Sequence, residues 1–193
     1  MLTDEQARAL GACVAAGGVA VFPADTVYGL ACDPENADAV AKLYALKGRP
    51  PAKPAAVMFF DLAAAPDVGP YRALLPGGVT LLVPNPERRY PLAGGEALGV
   101  RVPFLAPVGR PVLQSSANLA GGPDARRLDE VPASIRAGAD LVLDGGELPG
   151  TPSTVIDVHT GAILREGAVP RALVQQLVDA QLAADDAEQQ PPL

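Results

Sequence analysis

An α/β fold of the α+β type is what this 193-residue sequence predicts, built as one domain with a twisted, mixed β-sheet flanked by helices. Three observations carry that expectation. The length suits a single hydrophobic core. Short apolar runs of strand length are punctuated by prolines and glycines. Between some of them lie helical stripes, so hairpin links and helical crossovers alternate, as a mixed sheet requires. The domain is expected over residues 1–183. Residues 184–193, "ADDAEQQPPL", are expected to form a disordered acidic tail.

The elements follow in order. "TDEQARALGACVAAGG" opens with a capping box, Thr3 and Gln6, and stops at Gly17–Gly18. Apolar positions 7, 10 and 14 give it one buried face. "VAVF" reads as a buried strand and "PADTVYGL" as the loop after it. A helix over about Asp38–Lys47 sets Val40, Leu43 and Tyr44 on one side. Further strands are expected at "AAVMFF", "VTLLV", "GVRVP", "PVLQ", "DLVLD", "STVIDV" and "AILRE". "VPASIRAG" reads as a helix. A last helix follows Pro170, with Leu173, Val174, Leu177, Val178 and Leu182 expected to face inward.

Composition narrows the function. Fifteen bases against 22 acids give a net charge of -7, unlike the basic footprint of a dedicated nucleic-acid binder. No apolar run reaches a membrane span and no signal-peptide pattern opens the chain, so a cytoplasmic protein is expected. Cys13 and Cys32 stand alone and imply neither a disulfide framework nor a zinc site. His159 is the only histidine, so any histidine-dependent mechanism must use it. It falls in the turn "HTGA". The sequence has no P-loop and no Rossmann fingerprint.

Against that acidic background, "LYALKGRPPAKPAAV" concentrates Lys47, Arg49 and Lys53 on a proline-stiffened connection. If the chain runs extended there, residues 47 and 49 project to one side. A point charge and a planar fork together suit phosphate or carboxylate oxygens. The same residues also suit a helix C-terminus leading into a solvated loop. "QSSANLAGG" places Ser116 and Asn118 just after a strand, either as hydrogen-bonding groups for a ligand or as ordinary turn residues. In "GTPSTVIDV" and "ILREG", Ser153, Thr154 and Arg165 either complete a polar pocket or are strand starts and a surface charge. Asp25, Thr26 and Tyr28 in "PADTVYGL" carry the same two readings.

Taken in order, "GGVAVFPADTVYGLACD", "LYALKGRPPAKP", "LPGGVTLLV", "GVRVP", "SSANLAGGP", "PSTVIDV" and "ILREG" resemble the successive motifs of the YrdC/TsaC family. The resemblance runs from about residue 10 to 170. It implies a YrdC-like sheet with a concave nucleotide-binding surface. The activity it implies is L-threonylcarbamoyladenylate synthesis from L-threonine, bicarbonate and ATP, with pyrophosphate released, for tRNA threonylcarbamoyladenosine modification. Lys47 and Arg49, from the KxR motif, are expected at the phosphates as the catalytic pair, with Lys53 at the edge. Ser116 and Asn118, from the SxN motif, are expected to hold L-threonine and nucleotide. Thr26, Arg101 and Ser153 are expected at L-threonine and Arg165 at the nucleotide. Mg2+ is expected to arrive with ATP, without a cage of protein ligands alone. The implied partner is a separate tRNA threonylcarbamoyl transferase, and the acidic balance argues against direct tRNA binding. The chain departs from the family at Ala24, Ala55, Ala97 and Met58; at the last position many members carry histidine. The segment over 104–114 is shorter by roughly two helical turns, which is expected to open or reshape the wall near Arg101.

Overall fold

Caps set the helix boundaries. The computed structural model describes residues 2–50 and 54–189, with side chains through Ala187. In α1 (Asp4–Ala15), Thr3 Oγ1 accepts from Gln6 N at 3.2 Å, and Gln6 Oε1 accepts from Thr3 N at 3.1 Å. This is the capping box read from the sequence. Ala7, Leu10 and Val14 are buried; full burial of a leucine or valine contributes about 1.5–3 kcal/mol. The second helix, α2 (Ala37–Lys47), is capped by Asn36 Oδ1, which accepts from Ala39 N at 3.0 Å. It ends at Gly48, whose φ of 62° and ψ of 32° lie in the left-handed region that favours glycine. The chain is therefore not extended past Lys47. Lys47 is the last residue of the helix, and Arg49 leaves on a new heading.

The strands are β1 (Ala20–Pro23), β2 (Tyr28–Cys32), β3 (Ala56–Met58), β4 (Val79–Pro84), β5 (Ala97–Arg101), β6 (Val112–Ser116), β7 (Leu141–Val142), β8 (Thr154–Asp157) and β9 (Ile163–Arg165). Among the described residues they form one sheet in the order β7-β1-β2-β6-β3-β5-β4-β8-β9. Three pairings are parallel, β1 with β7, β3 with β5 and β4 with β8; the others are antiparallel. The mixed α/β fold is as predicted. Strand β2 is a correction, because Tyr28–Leu30, read as loop, belong to a strand that runs on to Cys32 and pairs on both sides. The reason is composition: Gly29 and Ala31 have weak strand propensity. Their smallness matters on the face they occupy, where a Cβ on Gly29 would stand 2.9 Å from the Phe22 ring and 3.0 Å from Gln114 Nε2.

Residues paired across neighbouring strands share a face. One face carries Ala20, Phe22, Ala31, Met58 and Val112, covered by Leu10 and Val14 of α1. Further along that face come Ala56, Gln114, Gly99, Arg101 and Leu82, and helix cover gives way to the cavity described below. The opposite face buries Val21, Leu30, Leu113, Val57, Val100, Leu81 and Ile156 in the larger core. Val40, Leu43 and Tyr44 of α2 and Ile135 of α3 (Ala133–Gly138) belong to that core.

The last helix, α4 (Arg171–Gln189), packs on the 3-10 segment Gly69–Leu74. It continues to Gln189, so residues 184–189 of the expected disordered tail are helical. An ion pair between Arg72 and Asp185 joins that end to the body. Val174 and Val178 are buried as expected and Leu177 is half-buried, but Leu173 and Leu182 are 42% and 47% exposed. No helix among the described residues is long and apolar enough to cross a membrane. Residues 102–111, between β5 and β6, contain no helix.

Candidate active site

Small residues make the hollow. Ala56, Ala97 and Gly99 floor a cavity of about 410 Å³, and a Cβ on Gly99 would stand 3.1 Å from Ala56 Cα. Around it stand three guanidinium groups from distant segments: Arg49 beyond α2, Arg101 at the end of β5 and Arg165 at the end of β9. Thr26, Ser116 and Ser153 add hydroxyls to the wall. The structure thus brings together six of the residues singled out in the sequence. Thr80, Gln114, Ser115 and Asp124 also line the cavity, and the sequence reading missed them. For Gln114 a signal was available: a polar residue in an apolar strand, two before Ser116 and so on the same face. Asp124 had none.

Each guanidinium is held differently. Arg165 donates to Ser153 O from Nε at 3.2 Å and from Nη2 at 2.8 Å. Ser153 Oγ in turn lies 2.7 Å from Thr80 Oγ1. Arg49 donates to Ser115 Oγ at 3.4 Å and to Pro54 O, and its guanidinium lies 5.8 Å from the centre of the Tyr44 ring. Burial lowers the Arg49 pKa, with the Tyr44 hydroxyl opposing. Arg101 is 3% exposed and pairs with Asp25 at 2.5 Å. Its pKa is also lowered, by burial first; Asp25 opposes that shift and the positive charge of Arg165 adds to it.

Lys47 and Asn118 stand behind the wall rather than in it. Lys47 is only 4% exposed. Its ammonium donates to Ser116 O at 2.6 Å, Ser116 Oγ at 3.2 Å, Asn118 O at 3.0 Å and Asn118 Oδ1. Asn118 Nδ2 donates to Gly122 O at 2.5 Å, and Ala120 N donates to Lys47 O at 2.8 Å. The lysine therefore braces the turn that follows β6 and fixes Ser116 at the cavity edge. Lys53 lies outside the described residues.

The remaining reactive groups lie elsewhere. His159 is exposed in the β8–β9 turn and Cys32 is buried in the larger core. Burial pushes the Cys32 thiol up to about 12, which removes thiolate character at neutral pH. Tyr28 points into the opposite face, where its hydroxyl lies 2.9 Å from both Asp144 Oδ1 and Gly146 O. Neither Cys13 nor any of these three lines the cavity. The described residues hold no group of three or more His, Cys, Asp or Glu side chains suited to a metal ion.

A family model named Sua5/YciO/YrdC, described as telomere recombination, matches residues 12–167. The chain belongs to the Sua5/YciO/YrdC family. A threonylcarbamoyl-AMP synthase from Stenotrophomonas maltophilia (strain K279a) is 36% identical over 177 residues, covering 80% of this chain and 94% of that one. The crystal structure of P. abyssi Sua5 complexed with L-threonine superposes with a TM-score of 0.80 at 25% identity. That match covers 91% of this chain and 58% of the P. abyssi chain. E. coli YciO superposes with a TM-score of 0.71 at 26% identity, covering 86% and 91%.

Of the positions at which the sequence reading expects departures from the family motifs, Ala55 and Ala97 line the cavity and Ala24 lies in the cluster under α1. Met58 is fully buried in the cluster under α1, with Phe22, Ala24, Val108 and Val112, and does not line the cavity. The segment between β5 and β6 supplies Val108 to that cluster, and Arg101 is 97% buried.

Proposed function

We infer that this chain is a threonylcarbamoyl-AMP synthase, joining L-threonine, bicarbonate and ATP and releasing pyrophosphate. One observation carries the reading: three guanidinium groups and several hydroxyls surround a cavity whose wall has neither histidine nor cysteine. Such a wall suits a reaction that needs placement and charge neutralisation rather than a protein nucleophile. The threonine amine, once deprotonated, forms an N–C bond to carbon dioxide derived from bicarbonate. A carbamate oxygen then attacks the α-phosphorus, and the bond to the β-phosphate oxygen breaks as pyrophosphate departs.

In this reading Arg49 and Arg165 neutralise the phosphates. Lys47 serves the same end from behind, by its charge and by fixing Ser116, and Asn118 completes that turn. Thr26, Ser116, Ser153 and the Arg101 corner receive L-threonine. Mg2+ comes as part of the nucleotide substrate. The names of the relatives and the threonine bound to P. abyssi Sua5 support the assignment. A cytoplasmic location and a downstream tRNA threonylcarbamoyl transferase belong to the same proposal.

The test is pyrophosphate release from ATP, with L-threonine and bicarbonate each omitted in turn. Release is expected to require both. Turnover that persists without threonine would overturn the substrate assignment. Salt-sensitive tRNA binding with no nucleotide turnover would point instead to an RNA-binding module.

A further inference from the structure

Asp25 has no role in the chemistry above, yet it occupies a constrained position in the fold. It sits between β1 and β2 with its side chain 10% exposed, against an Arg101 side chain 4% exposed. Arg101 Nη2 donates to Asp25 Oδ1 at 2.5 Å and reaches Thr26 Oγ1 at 3.4 Å, while Nη1 donates to Gln114 Oε1 at 3.2 Å. Both Nη2 hydrogens are thus directed at the β1–β2 connection. Two further atoms of the pair, Asp25 Oδ2 and Arg101 Nε, are buried without a hydrogen-bond partner among the described residues.

This arrangement limits what Arg101 can offer a ligand. A two-pronged arginine–carboxylate contact uses Nη2 together with Nη1 or Nε. Nη2 is occupied and Nε is sealed, which leaves one Nη1 hydrogen for the cavity. The charge of Arg101 is also offset from behind by the Asp25 carboxylate, while Arg165 stands near enough to oppose it. Of the three guanidinium groups, only that of Arg101 has a carboxylate paired to it among the described residues, Asp25, so its corner carries less net positive charge than the Arg49 and Arg165 sides.

We propose that Asp25 is a positioning residue: it holds Arg101, and with it the Thr26 hydroxyl, so that this corner presents single hydrogen bonds to the amino-acid substrate. The triphosphate is thereby directed to the other two arginines. The proposal rests on the threonine-dependent reading above. Loss of Asp25 frees the guanidinium to turn and removes the order of the corner, without touching the groups assigned to phosphate.

Calorimetric titration of the full chain with L-threonine and with ATP tests it, using Asp25→Ala and Asp25→Asn. The alanine variant is expected to weaken L-threonine binding by at least about tenfold and not to weaken ATP binding, since the Arg101 charge released from Asp25 can only add to the attraction for phosphate. Asparagine keeps an acceptor oxygen for Nη2 and is expected to fall between parent and alanine. Equal losses for both ligands, tracking the folded fraction, would reduce Asp25 to a structural residue and overturn the proposal, as would unchanged threonine binding. A second readout does not depend on the function. The Arg101 Nε–H, identified with Arg101→Lys in arginine-labelled NMR spectra, is expected to exchange slowly in the parent, rapidly in Asp25→Ala and at an intermediate rate in Asp25→Asn. An exchange rate unaffected by both variants overturns the proposal even if the parent binds no threonine. Absence of threonine binding by the parent, with that exchange difference intact, overturns the synthase reading and leaves the Asp25–Arg101 coupling standing.

Discussion

Lys47 and Arg49 are two residues apart and do different work. Arg49 borders the cavity, half-buried over Tyr44, whereas Lys47 is enclosed by the turn after β6. Replacing Arg49 with alanine removes a charge-assisted contact, worth about 1.5–3 kcal/mol. ATP binding is expected to weaken roughly tenfold or more with little change in melting temperature; normal ATP affinity would remove Arg49 from the phosphate site. Lys47→Met is expected to lower both, because the oxygens of Ser116 and Asn118 lose their shared donor. A melting temperature equal to the parent's would show that the lysine is no brace. The charge pattern that marks these residues was legible in the sequence. Where each side chain points was not, since it depends on β6, which lies far away along the chain.

At the level of elements, the C-terminus of α2 sets that divergence. Gly48 adopts a left-handed conformation with open space around its α-carbon, so Gly48→Ala meets no clash. Its expected cost is the backbone preference alone, about 1–2 kcal/mol, read as a lower midpoint in urea. A loss much larger than this would mean that the turn has other duties. Most elements here were readable from caps and apolar periodicity, because those signals are local. Strand β2 was hidden because Gly29 and Ala31 answer to the packing of Phe22 and Gln114 rather than to strand propensity. The inward and outward sides of α4 were likewise set by a partner, the short 3-10 segment Gly69–Leu74, which no sequence pattern announced. The same limit applies to the site. Its hydroxyls and arginines carry motifs, and Asp25 and Gln114 stand out as polar residues, but that both meet one guanidinium depends on pairing across the sheet.

Across the whole molecule, the core carries an alkaline liability. Cys32 rises from an ordinary 9.0 to about 12 and Tyr28 from 10.0 to about 12, both chiefly through burial. The unfolded chain then loses these protons before the folded one does, so stability is full below about pH 9 and falls as pH climbs toward 12. Melting temperatures measured across that range should decline, and Cys32→Ala should flatten part of the slope; an unchanged slope would exonerate the thiol. The strand order has a different kind of consequence. The cavity takes Thr26 from near the start of the sheet, Arg101 from its middle and Arg165 from its last strand, and β4 joins β8 across a long stretch of chain. Closing such distant contacts is slow compared with forming local ones. A chain emerging from the ribosome can therefore complete α1, α2 and several strands while owning no working pocket. Competence to bind is expected late, once β9 is free of the exit tunnel and Arg165 can reach Ser153.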